Sequence, residues 1–226
     1  MIVPVSAGDL SEAIQDYVKE IWKLQAGDGR ATTSALAEQL AVAPSSVTAM
    51  LKKLAALGLA EHEPYRGVVL TPAGERVALE VIRHHRLLEQ YLARTLGLDI
   101  ELVHDEADRL EHVLSDRLEA LIDHSLGYPT HDPHGHPIPD ADLRIAPAEP
   151  HGLDTIAPGA SATIVRVPDG NPELLRYLAE IDLLPGSRVD VLSAGPFGGP
   201  LTVAVSGTEH AISRELAASI GVSAGS

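Results

Sequence analysis

The sequence predicts a mainly α chain. An N-terminal winged helix-turn-helix leads into a domain of long helices, and a small, partly open β-barrel closes the chain. Three observations carry this: a short-helix pair followed by a hairpin, two long periodic segments after it, and a composition change at a proline-rich stretch. Seven of the sixteen prolines fall between Pro129 and Pro158, and beyond them the chain turns rich in glycine and valine. The predicted boundaries are 1–72 for the winged helix, 73–140 for the helical domain, 141–158 for a linker and 159–226 for the β-domain.

The first helix is read from Asp9 as cap, with Glu12 completing a capping box and Ile14, Tyr17, Val18, Ile21 and Leu24 as the apolar face. Asp16 falls on its polar side. A second helix over 34–40 runs through Ala41, Val42 and Ala43 into a third, which Pro44 opens and Gly58 closes. Strand-like runs over 59–63 and 68–71, joined by Pro64, Tyr65, Arg66 and Gly67, form the wing. Thr71 and Pro72 begin a long helix ending at Gly97, and Asp99 is read as capping another that runs unbroken towards His124. Strands are expected over 162–167, 188–192, 201–205 and 210–212, with one helix over 172–181.

On the third helix Val47, Met50, Leu51, Leu54 and Leu57 make a buried stripe, which turns Ser45, Ser46, Thr48, Ala49, Lys52 and Lys53 outward. Small hydroxyl side chains with two lysines suit a major groove, and Tyr65 and Arg66 sit on the wing. A net charge of -15 opposes nucleic-acid binding, yet 44–72 carries a slight positive excess. Aromatics make up 3% of the chain, which disfavours base stacking and leaves duplex DNA as the partner.

The negative charge concentrates at 101–123, where eight acids face Arg109 and Arg117. There His104, Asp108, Glu111 and His112 follow at spacings of four, three and one, on one helical face beside an apolar stripe of Val103, Ala107, Leu110, Leu114, Leu118 and Leu121. His85 and Glu89 lie one turn apart on the preceding helix. With no cysteine in the chain, a metal must be held by nitrogen and oxygen. His131, His134 and His136, in the proline-rich bridge, read as turn residues.

These motifs, in order, resemble the diphtheria toxin repressor family: PSSVTAMLKKL over 44–54, YRGVVLT over 65–71, RHHRLLE over 83–89, VHDEADRLEHVLSD over 103–116 and DPHGHPIP over 132–139. The resemblance implies an iron- or manganese-dependent regulator with a C-terminal SH3-like domain. It implies a primary metal site of Asp16, Asp108, Glu111 and His112, and an ancillary site of His85, Glu89 and His104. The ancillary site takes a further ligand from the C-terminal domain in some members, for which Asn171 and Glu173 are the candidates, with Glu173 preferred. Iron-type relatives carry Met and Cys at the positions of Asp16 and Asp108. Carboxylate oxygen in their place suits Mn2+, a hard ion, with Fe2+ or another divalent transition metal as the alternative. Where some manganese-type relatives have a glutamate one turn after the first-helix aspartate, this chain has Lys19, which favours two separated sites over one bridged pair.

The reading is thus a manganese-responsive repressor of metal-uptake genes, binding a palindromic operator as a homodimer. Its alternative is an iron-dependent regulator of the same family. A metallohydrolase is disfavoured, because no HExxH helix, phosphate loop or Gly-x-Ser-x-Gly elbow is present; so is a regulator that answers to a small molecule. No catalytic residue, small-molecule substrate or membrane association is expected. The absence of a long apolar run or signal-like start points to a cytoplasmic protein.

Overall fold

The computed structural model describes residues 6–63, 66–145 and 151–224. They form two compact units. The first comprises residues up to His85 with Asp108–Leu121 and Pro139–Ile145; the second comprises Arg86–Ala107, Ile122–Ile138 and the remainder from Ala146.

In the first unit, helix α1 (Glu12–Asp28) begins after Ser11 rather than at Asp9. A single 3-10 turn, Ala7–Asp9, precedes it, because the chain there is held by Glu80, whose carboxylate accepts from the Ser6 hydroxyl and the Ala7 amide. The anticipated face holds: Ile14, Tyr17, Val18 and Ile21 are buried. Helices α2 (Thr33–Gln39) and α3 (Pro44–Ala56) make the helix-turn-helix, with the Thr32 hydroxyl capping α2 by accepting from the Ala35 amide. Val47, Leu51 and Leu54 are fully buried, whereas Leu57 lies beyond the last turn of α3 and is exposed.

Strands β1 (Ala60–Glu63) and β2 (Gly67–Leu70) pair antiparallel as the wing. Gly67 is required there. Its φ is +91°, and a Cβ on it would stand 2.6 Å from the Ala31 carbonyl oxygen. Ala31 and Val68 exchange both backbone hydrogen bonds, which seats the wing against the start of α2.

Helix α4 (Pro72–Leu96) has the extent the sequence predicts, stopped by Gly97 in the left-handed region. The next segment departs from the expected continuous helix. It breaks into α5 (Val103–Leu110), a 3-10 turn Glu111–Val113, and α6 (Asp116–Leu126). Ser115 restarts the helix, its carbonyl accepting from the Glu119 amide and its hydroxyl from the Leu118 amide. The single apolar stripe is consequently divided: Val103 and Ala107 are buried, while Leu110, Leu118 and Leu121 are exposed.

The second unit carries a six-stranded antiparallel sheet in the order β3-β8-β4-β5-β6-β7. Its strands are β3 (His151–Gly152), β4 (Ser161–Arg166), β5 (Arg188–Ala194), β6 (Leu201–Val205), β7 (Thr208–Ile212) and β8 (Gly221–Ala224). Helices α7 (Pro172–Glu180) and α8 (Arg214–Ser219) complete its apolar core, in which Ile164, Leu175, Leu178, Val189 and Val203 are fully buried. Strand β3 lies within the stretch read as linker, and α8, β3 and β8 have no counterpart in the sequence reading. Among the described residues no helix is long and apolar enough to cross a membrane.

Candidate metal centre and nucleic-acid interface

Three elements of the first unit carry the primary set, and the ligand atoms of Asp16, Glu111 and His112 converge while Asp108 is not part of that group. Asp16 comes from α1, Asp108 from the last turn of α5, and Glu111 and His112 from the 3-10 turn after it. Ligand atoms of Asp16, Glu111 and His112 all lie within 4.8 Å of one another. His112 Nε2 stands 3.1 Å from Asp16 Oδ1 and 3.5 Å from Glu111 Oε1.

The orientation of His112 is fixed by a residue the sequence analysis passed over. The Gln15 side-chain amide donates to the Ala7 and Leu10 carbonyls at 2.9 and 3.1 Å, so its Oε1 must face the other way. That oxygen accepts from His112 Nδ1 at 2.8 Å. The proton is thereby held on Nδ1, and Nε2 offers its lone pair to the carboxylates, as a ligating imidazole requires.

Lys19 fills the centre of this constellation. Only 5% exposed, it donates from Nζ to Glu111 Oε1 at 2.6 Å and to Asp108 Oδ1 at 2.9 Å. Burial alone would weaken its basicity, but Glu111 and Asp108 overcome that and raise its pKa strongly. His85, turned to the same acids, contacts Glu111 Oε2 at 2.6 Å and Asp108 Oδ1 at 3.2 Å. Burial works to raise Asp108 and Glu111, yet His85 and Lys19 hold both well below the usual carboxylate range. Asp16 behaves oppositely: burial raises it, with only partial relief from His112 and Lys19. The donors are imidazole nitrogen and carboxylate oxygen throughout, a set that fits a hard-to-borderline divalent cation.

Of the ancillary set, Glu89 is fully buried in the second unit and contacts His104 Nδ1 at 3.1 Å. Glu173 lies in the first turn of α7 and joins none of the His/carboxylate groups among the described residues. Asn171 is occupied as the cap of α7, accepting from the Leu174 amide at 3.0 Å. The residue of the β-domain that does converge on Glu89 is Asp169, together with His134. Asp169 carries no local sequence signal, whereas His134 belongs to the histidine tract that the sequence analysis read as turn residues.

On the reading helix Ser45, Ser46, Ala49, Lys52 and Lys53 are exposed, as expected. Thr48 is half-buried, its hydroxyl donating back to the Pro44 carbonyl at 3.0 Å. Arg66 is exposed on the wing and pairs with Glu63 at 3.3 Å. Tyr65 lies outside the described residues.

Three family descriptions match the chain in succession. They are the iron-dependent repressor N-terminal DNA-binding domain over 9–68, the iron-dependent repressor metal-binding and dimerisation domain over 71–140, and the FeoA domain over 151–224. The HTH-type transcriptional regulator MntR of Lysinibacillus sphaericus is 40% identical over 114 residues, 49% of this chain and 81% of that protein. The chain belongs to the iron-dependent repressor family. The diphtheria toxin repressor of Corynebacterium efficiens is 36% identical over 131 residues, 58% of this chain and 57% of its own length. Among solved structures, a manganese-dependent transcriptional repressor in complex with manganese superposes with a TM-score of 0.86 at 40% identity, covering 93% of this chain and 99% of that one. ScaR with bound Cd2+ gives 0.81 at 31% identity, covering 93% and 99%. The family's metal-binding and dimerisation region spans His85, Glu89, His104, Asp108, Glu111 and His112, and its DNA-binding region spans Asp16, Lys19 and α3.

Proposed function

We propose that this chain is a manganese-responsive transcriptional repressor, which binds a palindromic operator as a homodimer when loaded with metal and controls metal-uptake genes. The observation that carries the reading is the convergence of Asp16, on the helix that packs against α2, α3 and the wing, with Glu111 and His112 in the turn that leads into α6. A divalent cation held by Asp16, Asp108, Glu111 and His112 supplies positive charge that offsets the repulsion among three carboxylates. The residues themselves do the coupling. Asp16 belongs to the reading head, and Glu111 and His112 belong to the segment that precedes the dimerising helix.

Support for the dimer comes from Val113, Leu118 and Leu121, which are 72, 49 and 56% exposed on the turn and on α6. Apolar groups so placed are typical of a surface that a second copy covers. Clamping Asp16 to that surface fixes the separation of two α3 helices to successive major grooves. Ser45, Ser46, Thr48 and Ala49 then face bases, while Lys52, Tyr65 and Arg66 neutralise or contact phosphate. Manganese is preferred to iron because the primary set contains no sulfur donor, and a manganese-dependent relative matches nearly the whole chain. Nothing in the reading calls for catalysis.

The test is a fluorescence-anisotropy titration on promoter DNA with manganese, ferrous iron, zinc and chelator. Asp108→Ala should abolish the metal dependence and His85→Ala should weaken it. Equal DNA affinity with metal and with chelator refutes the switch. Because linkage is reciprocal, operator DNA should tighten manganese binding by the same factor.

A further inference from the structure

Between the metal turn and the dimerising helix the backbone forms no continuous helix. Glu111–Val113 is a single 3-10 turn, residues 114 and 115 belong to no helix, and α6 starts afresh at Asp116. A helix is stiff because each N–H bonds to the carbonyl four residues back, and that stiffness ends where the bonds do. A firm link between Glu111 and α6 therefore has to run through side chains.

His84 makes that link. Buried on α4, it stands with Nδ1 3.2 Å from the Glu111 carbonyl oxygen and Nε2 3.0 Å from Glu119 Oε2. A carbonyl and an ionised carboxylate only accept, so both ring nitrogens donate and the ring is an imidazolium. Arg83, the residue before it, donates from Nε to Glu119 Oε1 at 2.5 Å and from Nη1 to the Pro139 carbonyl at 2.7 Å. His85, the residue after it, contacts Glu111 Oε2 at 2.6 Å. Consecutive histidines thus hold the two ends of Glu111, His85 its carboxylate and His84 its main chain.

This is more than docking α6 on α4 needs. Arg83 alone, with its planar fork, can hold the Glu119 carboxylate. A second buried cation beside it adds a desolvation cost that apolar packing would avoid. What the ring adds, and Arg83 does not, is the contact to Glu111. On the same stretch of α6, Leu118 and Leu121 are exposed, so the grip on Glu119 sets the direction in which that apolar face points.

We propose that His84 is the positioning residue that carries metal occupancy from Glu111 to α6, by sharing one ring between the Glu111 carbonyl and the Glu119 carboxylate. The inference rests on the metal-switch reading above and gives it a route. A cation drawn to the Glu111 carboxylate fixes the main chain of that residue. The fixed carbonyl holds the His84 ring, and the held ring fixes Glu119 and α6 with it. Because the ring serves both ends at once, order at either end favours order at the other, as a reciprocal coupling requires. His84 acts through the Glu111 main chain and not as a ligand.

Amide hydrogen exchange on the full chain reads this route without DNA. In the unaltered protein, saturating Mn(II) should slow exchange at 108–113 and at 117–121. In His84→Phe and in Glu119→Ala it should slow exchange at 108–113 alone. The double variant should behave as either single one, because both changes cut the same link. The gain in operator affinity on adding Mn(II) should fall in each variant by about 5–150-fold, the usual span of a coupling between sites. Circular dichroism in chelator monitors folding, and Glu119, with 18% of its side chain exposed, decides the matter if the buried ring does not tolerate replacement. Leu175→Ala, in the core of the β-domain, controls for lost stability and should leave the response at 117–121 intact. The proposal is overturned if Mn(II) slows 117–121 in folded Glu119→Ala as much as in the unaltered chain, or if Leu175→Ala abolishes that slowing too. It is overturned equally if the unaltered chain shows none there. Slowing at 117–121 that both variants lose, in a chain whose operator affinity ignores Mn(II), would support the bridge and refute the switch.

Discussion

Replacing Lys19 by methionine removes one positive charge while keeping the length of the side chain. The ammonium lies 2.6 Å from Glu111 Oε1 and 2.9 Å from Asp108 Oδ1, with Glu111 fully buried and Asp108 half-exposed. At an effective dielectric near 20, the Glu111 contact alone is worth about 6 kcal/mol before desolvation is subtracted. Stranding one partner of a buried pair costs about 3–5 kcal/mol, and the lower end applies because His85 still binds the other Glu111 oxygen. A loss of about 3 kcal/mol lowers the melting midpoint by on the order of 10 °C in a chain of this size.

Metal should reverse part of that loss. With the ammonium gone, Asp108 and Glu111 are released for cation binding, and a tenfold gain in manganese affinity returns about 1.4 kcal/mol at saturation. Differential scanning calorimetry of both proteins, in chelator and in excess Mn(II), reads the two effects in one experiment. The reasoning is refuted if Lys19→Met melts with the unaltered chain in chelator, or if its deficit is the same with and without manganese.

Three further outcomes follow from the geometry. Gln15→Leu should weaken Mn(II) binding about 10–100-fold by calorimetric titration, because His112 loses the acceptor that holds its tautomer; unchanged affinity would show that the Gln15 contact is incidental. Glu119 accepts from Arg83 Nε at 2.5 Å and faces His84 Nε2 at 3.0 Å; although burial works to raise its pKa, His84 and Arg83 pull it below the unfolded value of 4.5. Its contribution is therefore complete above that value and fades as pH falls through the lower, folded one. Glu119→Gln should cost about 2–3 kcal/mol in urea melts at pH 7 and converge with the unaltered chain as acidification protonates Glu119 in the folded state, whereas a pH-independent deficit would contradict the ion pair. Lys52→Ala should reduce the slope of log affinity against log salt by about one on any duplex, and an unchanged slope would remove Lys52 from the phosphate contacts.

Local rules carried most of the N-terminal half. Pro44 and Gly58 bracket α3, and Pro72 and Gly97 bracket α4, because proline and glycine act on their own φ angles and need no distant partner. The break at Glu111–Ser115 escaped because no glycine or proline marks it, and leucines 110, 114, 118 and 121 keep a helical period across it. A signal was nevertheless present: Ser115 is a capping residue, followed by Asp116 and Glu119 in a new first turn. Lys19 was visible as a departure from the expected acid, but its burial between Asp108 and Glu111 depends on contacts 89 and 92 residues away. Gln15 and Asp169 were illegible for the same reason, and His134, visible in a histidine tract, was read as a turn residue. Their roles arise from carbonyls and carboxylates that only the folded chain brings near.

The seat of Gly135 on β4 has an implication for how this chain tolerates change. Any side chain at that position would have to occupy the space of the Val165 carbonyl oxygen, so even alanine would lever the turn off the strand and carry His134 away from Glu89. A single methyl group, added where no charge or donor is altered, would act as a mechanical wedge between the turn and the strand it rests on.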